Sequence, residues 1–276
     1  MDRIKIALCQ LHVTPDKEAN LERAAKMVRE AAAKGAHLAV LPEMFNTPIS
    51  RRYMASNAEP VPGPVAAALS QLAKECGIVL VGGSFPEADG SKVYNTSLTF
   101  DKTGQQICHY RKMHLFDVNL PGGVVLRESD TVSAGSRLGL VDTELGRLGI
   151  GICYDLRFPE LWLTMALRGA QIMAVPAAFN VITGTDHWHT VLKSRAMDCQ
   201  TFFAVASPAR DEQAPFIPYG HSLVADPWGN ILAEAGEGEE LVVAEIELKR
   251  IEEVRARLPL LQHRRNELYR LEWLAD

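Results

Sequence analysis

The chain has 276 residues, 47% of them hydrophobic and 23% charged, enough for one large domain or two intimately packed halves around a sizeable core. A net charge of −5 with scattered Lys and Arg argues against a nucleic-acid or anionic-membrane partner, and no apolar run reaches the length of a membrane span. The five cysteines, Cys9, Cys76, Cys108, Cys153 and Cys199, are odd in number and include no Cys-x-x-Cys; neither a disulfide framework nor a zinc knuckle is expected, and a reducing cytoplasm is the natural compartment.

Residues 4–8 alternate as a strand, entered straight from the N-terminus with no room for a signal peptide. Residues 16–34 carry Leu21, Ala24, Ala25, Val28 and Ala32 as a helical stripe, with Gly35 to stop it. A short strand over 37–41 runs out at Pro42-Glu43, and a Pro/Gly loop over 60–64 leads to a helix over 65–76 ended by Gly77. A strand over 78–81 follows. Strands over 93–100 and 105–110 are joined by Asp101-Lys102-Thr103-Gly104, a hairpin signal. Next come a strand over 147–153, a helix over 159–168, a strand over 171–175, a helix over 186–199 and a strand over 202–206. A second hairpin, 222–225 and 231–233, turns at Asp226-Pro227-Trp228-Gly229-Asn230 before a last strand over 241–246. Strand–helix alternation in both halves predicts two similar layers of mixed sheet, each covered by helices on one face. No linker composition separates the halves, so residues 1–250 read as one domain and 251–276 as a C-terminal helix and charged tail that wraps a neighbour or frays.

Cys153 closes the apolar run 148–152 and opens Tyr154-Asp155-Leu156-Arg157-Phe158-Pro159-Glu160. A strand that ends in cysteine and turns toward a helix puts a small nucleophile on a tight corner, where helix N–H groups favour thiolate; the same position suits a buried cysteine acting as a small hydrophobe. Glu43, where a strand runs out, is either a functional carboxylate at the usual place in an α/β sheet or an exposed loop charge. Lys112 is either an active-site cation or a solvated charge beside Arg111. A cysteine hydrolase needs a base for the thiol proton and donors for the oxyanion, and these three residues supply a thiol, a carboxylate and an ammonium.

Leu41-Pro42-Glu43-Met44, Arg111-Lys112-Met113-His114-Leu115 and Gly151-Ile152-Cys153-Tyr154-Asp155-Leu156-Arg157-Phe158-Pro159-Glu160 resemble the stretches that hold the Glu-Lys-Cys triad of the nitrilase (carbon–nitrogen hydrolase) superfamily. The likeness runs from Ile4 to about Ile246, through Val81-Gly82-Gly83-Ser84, Tyr94-Asn95-Thr96-Ser97, Pro176-Ala177-Ala178-Phe179-Asn180, Ala206-Ser207-Pro208-Ala209-Arg210-Asp211 and Gly220-His221-Ser222. Lys112-Met113-His114-Leu115-Phe116-Asp117, Thr183-Gly184 with His187-Trp188, and Asp226-Pro227-Trp228-Gly229 resemble the ω-amidase branch in particular.

The resemblance implies an α/β fold, a four-layer α-β-β-α sandwich of two mixed sheets, dimerised through helical faces. It implies Cys153 as nucleophile, Glu43 as general base and acid, and Lys112 with the Tyr154 N–H as oxyanion donors. Glu128 matches a second glutamate that holds the lysine charged and oriented; the Gly-rich segment 119–125 before it leaves its path open. Phe116, Tyr154, Phe179 and Thr183 are implied to line the pocket. Arg157, four residues after the nucleophile, fits two parallel bonds to a substrate carboxylate, or else a structural salt bridge to Glu160 or Asp155. A cation opposite the scissile amide suits a short dicarboxylic acid monoamide. The expected reaction is hydrolysis of 2-oxoglutaramate or 2-oxosuccinamate to 2-oxoglutarate or oxaloacetate and ammonia, through a thioester. No cofactor or metal is expected: His187, Trp188 and His189 lack a third ligand at a workable spacing and are read as facing a groove or core. The rivals within the superfamily are a deaminated-glutathione amidase, an N-carbamoyl amine hydrolase and a nitrilase; from another class, a non-catalytic scaffold would be expected to have lost a triad residue.

Overall fold

The computed structural model describes residues 3–120 and 124–275. From the N-terminus the elements are β1 (Arg3–Gln10), α1 (Lys17–Ala33), β2 (Leu38–Val40), α2 (Arg51–Ser56), α3 (Pro64–Cys76), β3 (Val79–Val81), β4 (Phe85–Asp89), β5 (Lys92–Phe100), β6 (Gln106–Arg111), β7 (Asp117–Leu120) and β8 (Val124–Arg127). The second half continues with β9 (Gly139–Thr143), β10 (Gly146–Ile150), α4 (Pro159–Leu167), β11 (Ile172–Pro176), α5 (Val181–Cys199), β12 (Phe202–Ala206), β13 (Leu223–Ala225), β14 (Ile231–Glu234), β15 (Glu240–Glu247) and α6 (Lys249–Arg257). No helix among the described residues is long and apolar enough to cross a membrane.

Among the described residues one sheet has seven strands, in the order β15-β1-β2-β3-β5-β4 with β6 on the other edge of β5, and a second has six, β14-β13-β12-β11-β10-β9. Each has a parallel heart, β1-β2-β3 and β10-β11-β12, flanked by antiparallel strands. The period-2 alternation of β1 explains the layering. Ile4, Ile6 and Leu8 share one apolar core with Leu148, Ile150 and Ile172 of the second sheet. Ala7 and Cys9, on the opposite face, pack with Val28 and Ala31 of α1 and with Leu69 and Ala73 of α3. Helices α4 and α5 cover the far side of the second sheet through Trp162, Met165, Trp188 and Leu192.

Local signals set most boundaries. Asp16 caps α1 by accepting from the Ala19 N–H, and α3 opens on Pro64 and ends at Gly77 with a left-handed φ of 64°. Helix α5 begins five residues before the expected start at 186, because Asn180 caps it at the Ile182 N–H. Gly184 lies inside the helix rather than in a loop, and a Cβ there would come within 2.3 Å of the Tyr219 ring. The glycine serves close packing, not flexibility. The strand expected over 147–153 stops at Ile150, and Cys153 opens a 3₁₀ turn, Cys153–Arg157. Sequence patterning missed α2, β4 and β7–β9, which are short or carry little apolar periodicity. Asp117 to Leu120 pair with Arg127 to Val124 as an antiparallel ribbon; Pro121, Gly122 and Gly123 of the Gly-rich segment lie outside the described residues. Beyond β15, Ile251 and Val254 of α6 are buried, whereas Leu268, Tyr269 and Leu274 are exposed.

One buried polar knot holds β4, β5 and β6 in register. Glu87, 2% exposed, accepts from Thr96 Oγ1 at 2.5 Å, from Arg111 Nε at 2.9 Å and Nη2 at 2.6 Å, and pairs with His109 Nε2 at 2.9 Å. Burial alone would raise this carboxyl; the bonds from His109, Arg111 and Thr96 outweigh it and hold the pKa at about 2. A folded-state pKa below the unfolded value of 4.5 stabilises the fold at all pH above that value, and the contribution is lost as pH falls toward 2. Urea unfolding should therefore show Glu87→Gln less stable than wild type at pH 7 by about 3 kcal/mol, with the gap closing between pH 4.5 and 2. A pH-independent gap would contradict this assignment.

Candidate active site

The parallel strands deliver the candidate residues to one end of the sandwich. Glu43 follows β2 in a loop pinned by Gly82-Gly83-Ser84 after β3: the Ser84 N–H donates to Pro42 O at 3.1 Å and the Met44 N–H to Ser84 Oγ at 3.1 Å. A Cβ on Gly83, whose φ is 63°, would lie 2.4 Å from Pro42 O, so this approach needs glycine. Lys112 follows β6, its N–H donating to Asn95 O on β5 and its carbonyl accepting from the Gly135 N–H, both at 2.8 Å. Cys153 adopts φ of 46° and Met44, beside Glu43, φ of 49°. Left-handed non-glycine residues cost about 1–3 kcal/mol and gather at functional sites; two of the four among the described residues flank or are a candidate residue here, the others being Gln200 and His221.

Lys112 is 2% exposed, and its Nζ donates at 2.9 Å to Glu43 Oε1 and at 2.9 Å to Glu128 Oε2. Glu128, at the start of a 3₁₀ turn after β8, also accepts from the Phe116 N–H at 2.7 Å. Asn95 Nδ2 bridges the two carboxylates, reaching Glu43 at 2.9 Å and Glu128 at 3.2 Å. Cys153 Sγ accepts from the Ala178 N–H at 3.4 Å. The ordering of glutamate, lysine and second glutamate expected from sequence is thus present as direct contacts.

Two carboxylates around one ammonium leave the cluster with a surplus negative charge. Burial raises the Glu43 pKa, Glu128 raises it further, and Lys112 opposes both. Burial would lower Lys112, but Glu128, Glu43 and the thiol raise it well above its ordinary value, so it stays an ammonium. Cys153 is raised well above a normal thiol, first by burial and then by the Glu43 charge; Lys112 and the Ala178 N–H pull the other way. This corrects the expectation that the turn favours thiolate. Cys153 sits on a 3₁₀ turn, and α4 begins six residues later at Pro159, too far for its N–H groups to stabilise the sulfur. Burial and the Glu43 charge favour the thiol form of Cys153.

A cavity of about 400 Å³ opens on these groups, lined by Glu43, Lys112, Glu128, Cys153, Asn95 and Phe116 and also by Arg51 and Arg127. Of the five expected pocket residues only Phe116 is on this wall. Phe179 is 4% exposed with its ring edge-on to Trp188, and Thr183 is 6% exposed with its hydroxyl donating to Asn180 O. Tyr154 packs edge-on between Phe116 and Phe158. Arg157 does not form the salt bridge expected as its alternative role. Its guanidinium lies 4.7 Å over the Phe179 ring, 3.2 Å from His187 Nδ1, without an ion pair to Glu160 or Asp155. The side chains of Tyr154 and Arg157 on this turn thus pack against Phe116, Phe158 and Phe179.

Sequence reasoning missed two residues here. Asn95 was readable only as a polar residue in the run Tyr94-Asn95-Thr96-Ser97 of a buried strand. Asp155, fully buried, accepts from the Ile152 N–H at 2.8 Å, Tyr110 OH at 2.7 Å and the His114 N–H at 3.0 Å, and contacts His114 Nδ1 at 2.7 Å. It ties the nucleophile turn to the segment that carries Lys112. A third correction concerns His189: folding brings it to His221 and Glu234, with one ligand atom of each within 4.8 Å of the others, whereas Trp188 is buried in the core as expected.

Residues 5–256 match the carbon–nitrogen hydrolase family. The chain is 45% identical over 272 residues to omega-amidase NIT2-A of Xenopus laevis and 44% identical over 272 residues to omega-amidase NIT2 of Homo sapiens, covering 99% of this chain and 99% of each relative. The crystal structure of Saccharomyces cerevisiae Nit3, a member of branch 10 of the nitrilase superfamily, superposes with a TM-score of 0.87 at 44% identity, covering 96% of this chain and 97% of that one. With the two helix-covered sheets described above, these likenesses establish the α-β-β-α sandwich. The chain belongs to the carbon–nitrogen hydrolase family.

Proposed function

We propose that this amidase is an ω-amidase that hydrolyses the terminal amide of short dicarboxylic acid monoamides such as 2-oxoglutaramate and 2-oxosuccinamate, releasing the diacid and ammonia. The observation that carries the reading is the buried ammonium of Lys112, clamped between Glu43 and Glu128 on the wall that also bears Cys153. Full-length likeness to ω-amidases supports the substrate class.

In this reading Glu43, its basicity raised by burial, takes the Cys153 proton as sulfur attacks the amide carbonyl. The charge on the carbonyl oxygen is met by Lys112 and the Tyr154 N–H; one such donor is worth about 3 kcal/mol of barrier. Glu43 passes the proton to departing ammonia, leaving an acyl thioester. It then activates the water that hydrolyses the thioester. Glu128 keeps Lys112 charged and in place without touching the reacting atoms.

The distal carboxylate needs a cation across the cavity. Arg157 is off this wall, whereas Arg127 is on it, its guanidinium donating among the described residues to Val118 O, Leu126 O and Asn119 Oδ1. We assign substrate-carboxylate recognition to Arg127. The five free thiols support work in the reducing cytoplasm, and Leu167 of α4 and Met197 of α5, both exposed, support dimerisation through helical faces.

Arg127→Gln should raise KM for 2-oxoglutaramate about 10- to 100-fold, the loss of a charge-assisted contact, and leave short uncharged amides within about twofold. An unchanged KM, with Arg157→Lys raising it instead, would move the role to Arg157. The acid limb of kcat/KM reports ionisation of the base in the free enzyme. Because Glu128 raises the Glu43 pKa, Glu128→Gln should shift that limb to lower pH while decreasing kcat. A limb that stays put or moves up would remove Glu43 from the general-base role.

A further inference from the structure

We propose that His189, His221 and Glu234 form a binding site for one divalent transition-metal ion of the zinc type, separate from the catalytic cavity. None of the three lines that cavity. His189 Nε2 lies 2.7 Å and His221 Nδ1 3.0 Å from the same oxygen, Glu234 Oε1, and the three ligand atoms fall within 4.8 Å of one another.

The convergence is imposed by the fold, not by the side chains seeking each other. His189 stands on α5, Glu234 ends β14, and His221 precedes β13. The His221 backbone is fixed at φ of 59°, its N–H donating to Gly236 O at 3.1 Å and its carbonyl accepting from Trp188 Nε1 at 2.8 Å. Tyr219 walls one side, its ring centroid 4.5 Å from that of His221 and 6.3 Å from that of His189. Glu234 is exposed and His189 and His221 only half-buried, so an ion has a path in and an open position for water.

Metal–nitrogen and metal–oxygen bonds of about 2.0–2.2 Å in tetrahedral geometry place ligand atoms about 3.3 Å apart. The two contacts to Glu234 need to open by roughly half an ångström, which rotation of partly exposed side chains provides. Two imidazoles and a carboxylate suit zinc, cobalt or nickel, while calcium and magnesium prefer all-oxygen sites. An ion held here would clamp α5 to the β13–β14 hairpin.

The test is titration of the purified, chelator-treated full chain with Co²⁺ and then Zn²⁺. One equivalent of Co²⁺ should give the visible bands of a four- or five-coordinate site, and Zn²⁺ should displace it. Saturating Zn²⁺, at a hundred times Kd, should raise Tm by roughly 5 °C. His189→Gln and Glu234→Gln should abolish the bands and the Tm shift while leaving amide hydrolysis by the metal-free proteins unchanged. Absence of binding, or bands with sulfur-to-cobalt charge transfer that persist in both variants, would overturn the site; the first outcome leaves a carboxylate bridging two histidines, the second places the ion on cysteine.

Discussion

A single ammonium group organises the functional end of this molecule. Removing Lys112 from water, at 2% exposure, carries a penalty of several kcal/mol unless charged partners surround it. Two carboxylates from distant segments meet that need, and Asn95 ties the carboxylates to each other. The loop after β2, the end of β6 and the ribbon β7–β8 therefore have to converge. Any rearrangement that separates them leaves a buried charge unpaired.

The same arrangement fixes the state of the nucleophile. An ammonium next to a thiol ordinarily stabilises thiolate. Here burial is the first cause that raises the Cys153 thiol, the Glu43 charge adds to it, and Lys112 opposes both. The raised pKa favours the protonated form of Cys153.

Asp155 is the second constraint. With no exposure to solvent, it gathers donors from the nucleophile turn, from β6 and from the His114 segment. Through it the two sheets hold a common reference frame, since Ile152 extends from the second sheet while Tyr110 belongs to the first. His114 stacks on Phe158 at a centroid distance of 3.6 Å, extending the frame to the start of α4. From the same turn Arg157 lies over the Phe179 ring, while Arg127 of the ribbon lines the cavity.

What was legible in the chain follows from what local physics can encode. Alternation in β1, the capping Asp16, the terminating Gly77 and the two hairpin turns announce their elements because each is decided by neighbours in sequence. Glu43, Lys112 and Cys153, together with Glu128, were legible as motif-borne candidates. Their mutual geometry, the thiol state of Cys153, the roles of Asn95 and Asp155, the removal of Arg157 from the cavity wall and the meeting of His189 with His221 and Glu234 were decided only by tertiary structure. Each depends on charges and donors brought together across tens to hundreds of residues. Electrostatic fields and burial belong to the assembled set, not to any one segment of the chain.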